Sequence, residues 1–506
     1  MGGQSSKPQQ GLTPLQRAVI DRAKSLQLED DYVDLVDEKA EYESGCRISR
    51  DAEALDPQSM NLLIQESLRD PKNKLALSAL SSADPRQVLM SAPASFAHQH
   101  IFNTKIPFEG GPITAQGSSG RCWIFASTNV FRVALMKKHN LDSFELSQSY
   151  IFFWDKIEKV NWFLEQIIET AEQDIDSRVV QTLLHDIVSD GGQWDMVYDI
   201  VAKYGLVPQS LYPDSWNASN SSVLNTIIKT KLRQSAMTLR KASQNRALTP
   251  TAISTFKKET IQQVSLIMTL LLGPPPNPNH KFRWEYNDKN GVAHELERTP
   301  KNFASDIYSN EFRISSTSIE SMLSLVHDPR HMPLSLLSVP RLGNVVGGRG
   351  VTYVNVSIDT LKNGCVRMIK AGLPVFFGCD VGKFSDKGLG VMDLNLFNYD
   401  IGINTGMLGM SKAERLLSGE SQMTHAMVLT AVHVDEKTNR PVRWRVQNSW
   451  GADAGDNGWF VMSDAWMDEF VYQAVIDQRF CSKEVLDVLK KEPIILPLWD
   501  PMGALA

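Results

Sequence analysis

Cysteine is scarce in this chain, and the few present carry no pattern. Five stand among 506 residues, at Cys46, Cys122, Cys365, Cys379 and Cys481, odd in number and far apart. No CxxC pair or His-rich spacing accompanies them. Neither a disulfide framework nor a metal site is therefore expected, and a reducing compartment is. Long hydrophobic runs are missing too. The longest, Val264 to Gly273, has ten residues, against the roughly twenty that a membrane span needs. It reads as a buried helix or strand, and no transmembrane segment is expected. A net charge of -6 gives no overall attraction for nucleic acid, so such a role would have to be local. No secretory signal is read at the start. The remaining composition, 42% hydrophobic and 22% charged, is that of a soluble globular chain long enough for two or more packed subdomains.

Against this background one stretch stands out. Gln116-Gly117-Ser118-Ser119-Gly120-Arg121-Cys122-Trp123 is a glycine-rich turn that runs into an apolar segment with no glycine or proline until past His139. This places Cys122 in the first turn of a long buried helix, where unpaired N–H groups and the helix dipole favour an anion. A lowered thiol pKa is expected there. Gln116, earlier on the turn, can offer its side-chain amide to a developing oxyanion beside the Cys122 N–H. Far downstream, Thr424-His425-Ala426 opens an apolar strand, and Gln447-Asn448-Ser449-Trp450-Gly451 ends another. A lone cysteine or histidine is usually a packed core residue. Together, Cys122, His425 and Asn448 have the chemistry of a nucleophile, its base and the group that orients the base.

The order Gln…Cys-Trp…His-Ala…Asn-Ser-Trp-Gly resembles the papain-like cysteine proteases. Within them the chain is similar to the bleomycin hydrolase family of intracellular cysteine aminopeptidases. Its turn reads Ser-Gly-Arg-Cys-Trp, and His425 follows Cys122 by 303 residues, with room for that family's helical insertions. The similarity runs from about Ala18 to the ending Met-Gly-Ala-Leu-Ala, and it points to a fungal member. It implies an α+β, papain-like fold with a helical nucleophile subdomain and an antiparallel β subdomain meeting at a cleft. The expected divisions are a flexible tail over 1–17, a helical subdomain with an N-terminal extension over 18–215, a helical, basic insertion with a Pro-rich connector over 216–345, a β-rich subdomain over 346–490, and a tail over 491–506 lying in the cleft. Strand-rich pattern begins at Val375, and Ile101 to Asn103 reads as a strand.

The resemblance also implies roles. Gly191-Gly192 looks like the step that hydrogen-bonds extended substrate, although an ordinary helix-start turn gives the same pattern. Trp450 is expected to shield the Asn448–His425 bond. The carboxyl terminus at Ala506 would occupy the non-primed subsites and pair with a substrate's free α-amine, giving aminopeptidase action on peptides. Amide-bearing drugs and thiolactones are further substrate types of that family. It assembles as a homohexamer around an internal channel. No cofactor is implied. The expected compartment is the cytoplasm, with the mitochondrion alongside it: no acidic residue precedes Asp21, although Arg17 and Arg22 are few for a presequence.

Three features stand apart. Met1-Gly2-Gly3-Gln4-Ser5-Ser6 matches a myristoylation pattern at Gly2, while a plain flexible tail is the simpler reading. Between Asn225 and Thr260 the bases Lys229, Lys231, Arg233, Arg240, Lys241, Arg246, Lys257 and Lys258 face one acid, Glu259. A solvated helix face explains such a block, and a local nucleic-acid surface is the sharper alternative. His98 and His100 lack ligand partners in the sequence and read as structural. A nucleic-acid-binding module on a protease scaffold, and an inactive scaffold within an assembly, compete with the enzyme. All four catalytic positions are present, which weighs against both.

Overall fold

The structure, a computed structural model, describes residues 54–97, 99–244, 249–308 and 319–505. Gly2, Cys46, the acidic stretch from Glu29 to Glu43, His98, Arg246 and Ala506 lie outside the described residues. The described residues fall into two units, one ending at Ser81 and one beginning at Ser82. In the first, helices Pro57–Ser67 and Pro71–Leu80 each begin with an aspartate cap and a proline at the first position. No side chain of either helix is buried.

The second unit is built on two sequence patterns. Its first part is helical. Helix Cys122–Lys138 is buried at every residue from Cys122 to Met136, as befits a segment apolar on all sides, and ends with lysines against its negative pole. Helix Gln148–Glu169 starts at the Ser147 cap. Helices Ser222–Gln244 and Pro250–Leu272 form a hairpin that packs on it through one apolar stripe each, Leu224, Ile228, Leu232 and Leu239 from one, Val264, Met268 and Leu272 from the other. The Val264–Gly273 run is the end of a helix buried on one face only, with Leu266 and Leu270 exposed. A hairpin of Phe282–Asn287 with Ala293–Arg298 follows.

The rest is built on a sheet, with helices such as Ile358–Lys370 and Asp464–Phe470 between its strands. Its strands lie in the order Ile494–Ile495, Ser335–Ser338, Thr352–Asn355, Met322–Val326, Val471–Asp477, Val375–Cys379, His425–Val434, Pro441–Gln447, Trp459–Ser463, Val391–Met392 and Ser385–Asp386. The short strand Thr104–Lys105 pairs beside His425–Val434. In this last part of the chain the strands thus begin at Met322, well before Val375. Met322–Val326 is buried at all five residues, so it lacks the alternation that marks a half-exposed strand. Ile101 to Asn103 is not a strand; pairing starts at Thr104.

Candidate active site

The two patterns meet where Cys122 faces the head of strand His425–Val434. Helix Cys122–Lys138 packs on that strand, and the Cys122 sulfur lies against the backbone N–H of Ala426, the residue after His425. Strand register sets the histidine: His425 pairs with Cys379, and the next four residues continue antiparallel to Val375–Cys379. Asn448 follows directly on Gln447, which pairs with Trp459 on one side and Val428 on the other.

His425 Nε2 lies 2.9 Å from Asn448 Oδ1. The same oxygen accepts the Ser449 N–H at 2.8 Å, which turns the carbonyl end of the amide toward the ring. Nε2 is therefore the donor, and Nδ1 is left to exchange a proton with the thiol. Trp450 stacks on the imidazole with ring centroids 4.8 Å apart.

The expected low thiol pKa is overturned. Burial pushes the Cys122 thiol up to about 11, although the N–H groups of Ala426, Trp123 and Cys122 pull the other way. Burial likewise pushes His425 down to about 4, against the bond from Asn448. In so dry a place the helix terminus does not stabilise a lone thiolate against desolvation.

Gln116 is buried and held at both ends. Its Oε1 accepts from Ser449 Oγ at 2.7 Å and its Nε2 donates to Ser119 O at 2.6 Å. Its backbone N–H donates to Ser449 O at 2.8 Å. One Nε2 hydrogen remains for an oxyanion. Ser449 was missed as a functional residue in the sequence, although it sits inside the Asn-Ser-Trp-Gly signature. Gly192 is glycine because a Cβ there would lie 2.4 Å from the Trp123 ring, and Gly191 O accepts from Lys159 Nζ at 2.7 Å. Gly191 lines a cleft of about 400 Å³ together with Met423, Thr424, Ala504 and Leu505. Two residues on, Gln193 Nε2 donates to Ala504 O at 2.7 Å. The C-terminal segment is anchored by Tyr353 to Met502 O and by Arg330 to Asp500.

Several members of the basic block are already engaged. Arg240 is buried and donates to Thr170 O and Gln173 O, Arg233 donates to Leu184 O, and Lys257 pairs with Glu165. Lys229 faces Asp186 at 3.9 Å. Lys231 and Lys241 share the helix with them. His100 Nδ1 lies 2.8 Å from Arg445, a structural partner. Among the described residues, no group of His, Cys, Asp and Glu is placed to hold a metal ion, and no helix is long and apolar enough to cross a membrane.

Fold and site together define a papain-like cysteine peptidase. The profile of the Peptidase C1-like family matches residues 54–503, and the chain belongs to that family. It is 41% identical over 466 residues to cysteine proteinase 1, mitochondrial, of Saccharomyces cerevisiae, covering 91% of this chain and 94% of that one. To human bleomycin hydrolase it is 41% identical over 458 residues, covering 89% and 99%. The crystal structure of PepW from Lactobacillus rhamnosis aligns with a TM-score of 0.84 at 38% identity, over 90% of this chain and 99% of that one.

Proposed function

We propose that the protein is a thiol aminopeptidase whose own carboxyl terminus measures the substrate. The observation that carries this reading is the bond from Gln193 to Ala504 O, which draws the last described residues into the cleft beside Gly191 and Thr424. A carboxylate there would pair with a free α-amine and leave no room for a longer chain on that side.

Cys122 passes its proton to His425 Nδ1 and attacks the carbonyl carbon. The oxyanion takes hydrogen bonds from the Cys122 N–H and Gln116 Nε2; one such donor is worth roughly 10²–10³ in rate. His425 then returns the proton to the leaving amine, giving a thioester. Water, deprotonated by His425, attacks the thioester and frees Cys122. Asn448 holds the ring through both halves.

The similarity to bleomycin hydrolases extends the proposed substrates to small amide-bearing molecules, and a ring-shaped hexamer goes with it. Cytoplasm and mitochondrion are the proposed compartments, the latter in keeping with the yeast relative's name. The spent side chains of Arg233, Arg240 and Lys257 give a nucleic-acid role no support.

The test compares an amino-acid amide of a fluorophore with its N-acetyl form, using wild type and Cys122→Ala. Cleavage of the free-amine form alone, abolished in the variant, is expected. Equal cleavage of both would leave a thiol peptidase but remove the terminus as its gauge.

A further inference from the structure

The turn that carries Gln116 and Cys122 is closed around a buried charge. Arg121 is fully buried. Its guanidinium donates through Nε to Ser119 Oγ at 2.9 Å, and through its terminal nitrogens to Gln116 O at 3.3 Å and to both oxygens of Asp214 at 3.1 and 2.7 Å. Ser119 Oγ in turn donates to Gln116 O at 2.7 Å, and Gln116 Nε2 donates to Ser119 O. The backbone of Gln116 and the side chain of Ser119 are thus both tied to one planar, five-donor group. Phe125 and Phe152 flank it, with ring centroids 5.1 and 5.4 Å from the guanidinium carbon.

Asp214 lies just ahead of the region over 216–345, and it is held as well. Ser149 and Ser219 both donate to it. From the same stretch, Ser219 O accepts the Ser118 N–H at 2.7 Å, and a Cβ on Gly117 would lie 2.6 Å from that oxygen. Gly117 has φ +63, so a glycine is required there on two counts. The described cysteines are free thiols, so no disulfide among them does this work.

We propose that Arg121, through its buried ion pair with Asp214, is a positioning residue that holds the Gln116 amide where the oxyanion develops, which makes the segment 214–221 a working part of the active site. It rests on the reading of Gln116 and Cys122 given above. A guanidinium satisfies Ser119, Gln116 and Asp214 together. An ammonium, being a compact point charge, cannot reach all three.

The experiment uses Arg121→Lys, Arg121→Met and, as the variant less exposed to a folding failure, Asp214→Asn. Three quantities are read: amide hydrolysis, affinity for a peptide aldehyde, and the rate at which iodoacetamide alkylates Cys122. The aldehyde adds the thiol to give a hemithioacetal oxyanion. Alkylation displaces iodide from carbon and forms no oxyanion. In Arg121→Met, kcat and aldehyde affinity should fall in parallel by roughly 10²-fold, while KM and the alkylation rate stay within about threefold. Arg121→Lys and Asp214→Asn should fall between this variant and wild type. Adding Gln116→Ala to Arg121→Met should cost little more, because the amide is already displaced. Unchanged kcat in all three variants would overturn the proposal. So would an equal loss of alkylation, which would mean the thiol itself had moved, or full additivity with Gln116→Ala. Activity that survives Cys122→Ala would instead remove the underlying reading and is seen separately.

Discussion

The two halves of the candidate site are held by different physics. On the sheet side, His425 and Asn448 are fixed by backbone register: neighbouring strands pair residue by residue up to His425–Cys379 and Gln447–Trp459. On the helix side backbone pairing shrinks to isolated bridges, Ala115 with Trp450 and Ser118 with Asn220. The Gln116–Cys122 turn is held by buried charges, Arg121 with Asp214 and, beneath Gly120, Lys156 with Asp190. Burial works against the Asp190 carboxylate, yet the Lys156 ammonium at 2.7 Å and the bonds from Ser221 and Asn225 keep its carboxyl below the usual range. Register is a collective property that one side chain hardly disturbs. A buried ion pair depends on each partner, because removing one leaves an uncompensated charge.

The largest expected effect follows from that asymmetry. Asp190→Ala strands the Lys156 ammonium and should lower the unfolding free energy by about 3–5 kcal/mol, read as a shift of the urea midpoint. A shift under about 1 kcal/mol would erase the contrast. On the sheet side, Asn448→Ala should cost roughly 10²-fold in kcat and leave the urea midpoint nearly in place. A large loss of stability with intact activity would reverse the assignment.

A smaller effect is a pH slope. His425 titrates at about 4 in the folded protein against 6.5 as an ordinary histidine. As pH falls below 6.5 the unfolded chain takes up a proton that the native site refuses, so stability declines through the window from 6.5 to about 4. His425→Gln should flatten this slope by up to one proton. His327, also pushed down to about 4 by burial, keeps a slope of its own in both proteins. An unchanged slope would show that His425 is not held neutral by burial. The smallest effect is expected of Trp450→Phe, which keeps an aromatic ring over His425 and should change kcat only a few-fold.

The same asymmetry decides what the sequence could reveal. Cys122, His425, Asn448 and Gln116 were legible because the chemistry of each is written in its immediate neighbours, and the structure brings them together. Arg121 stood in plain view in Ser-Gly-Arg-Cys-Trp, but its partner is 93 residues away, and a single sequence does not announce such a pairing. The pKa of Cys122 was misjudged because burial depth is a tertiary property: the helix terminus was visible, the desolvation was not. Strand Met322–Val326 escaped because an apolar stretch buried on both sides carries no period. The basic block left a nucleic-acid surface open beside a solvated face because sequence charge does not tell which lysines and arginines are spent on carbonyls and carboxylates.

The account stands on proton transfer between Cys122 and His425. The most direct measurement is the rate of Cys122 alkylation by iodoacetamide against pH, in wild type and in His425→Ala. The wild type should react readily at neutral pH because the imidazole takes the thiol proton. In the variant the thiol should react only as pH climbs toward its own value of about 11. Superimposable profiles would contradict the pairing.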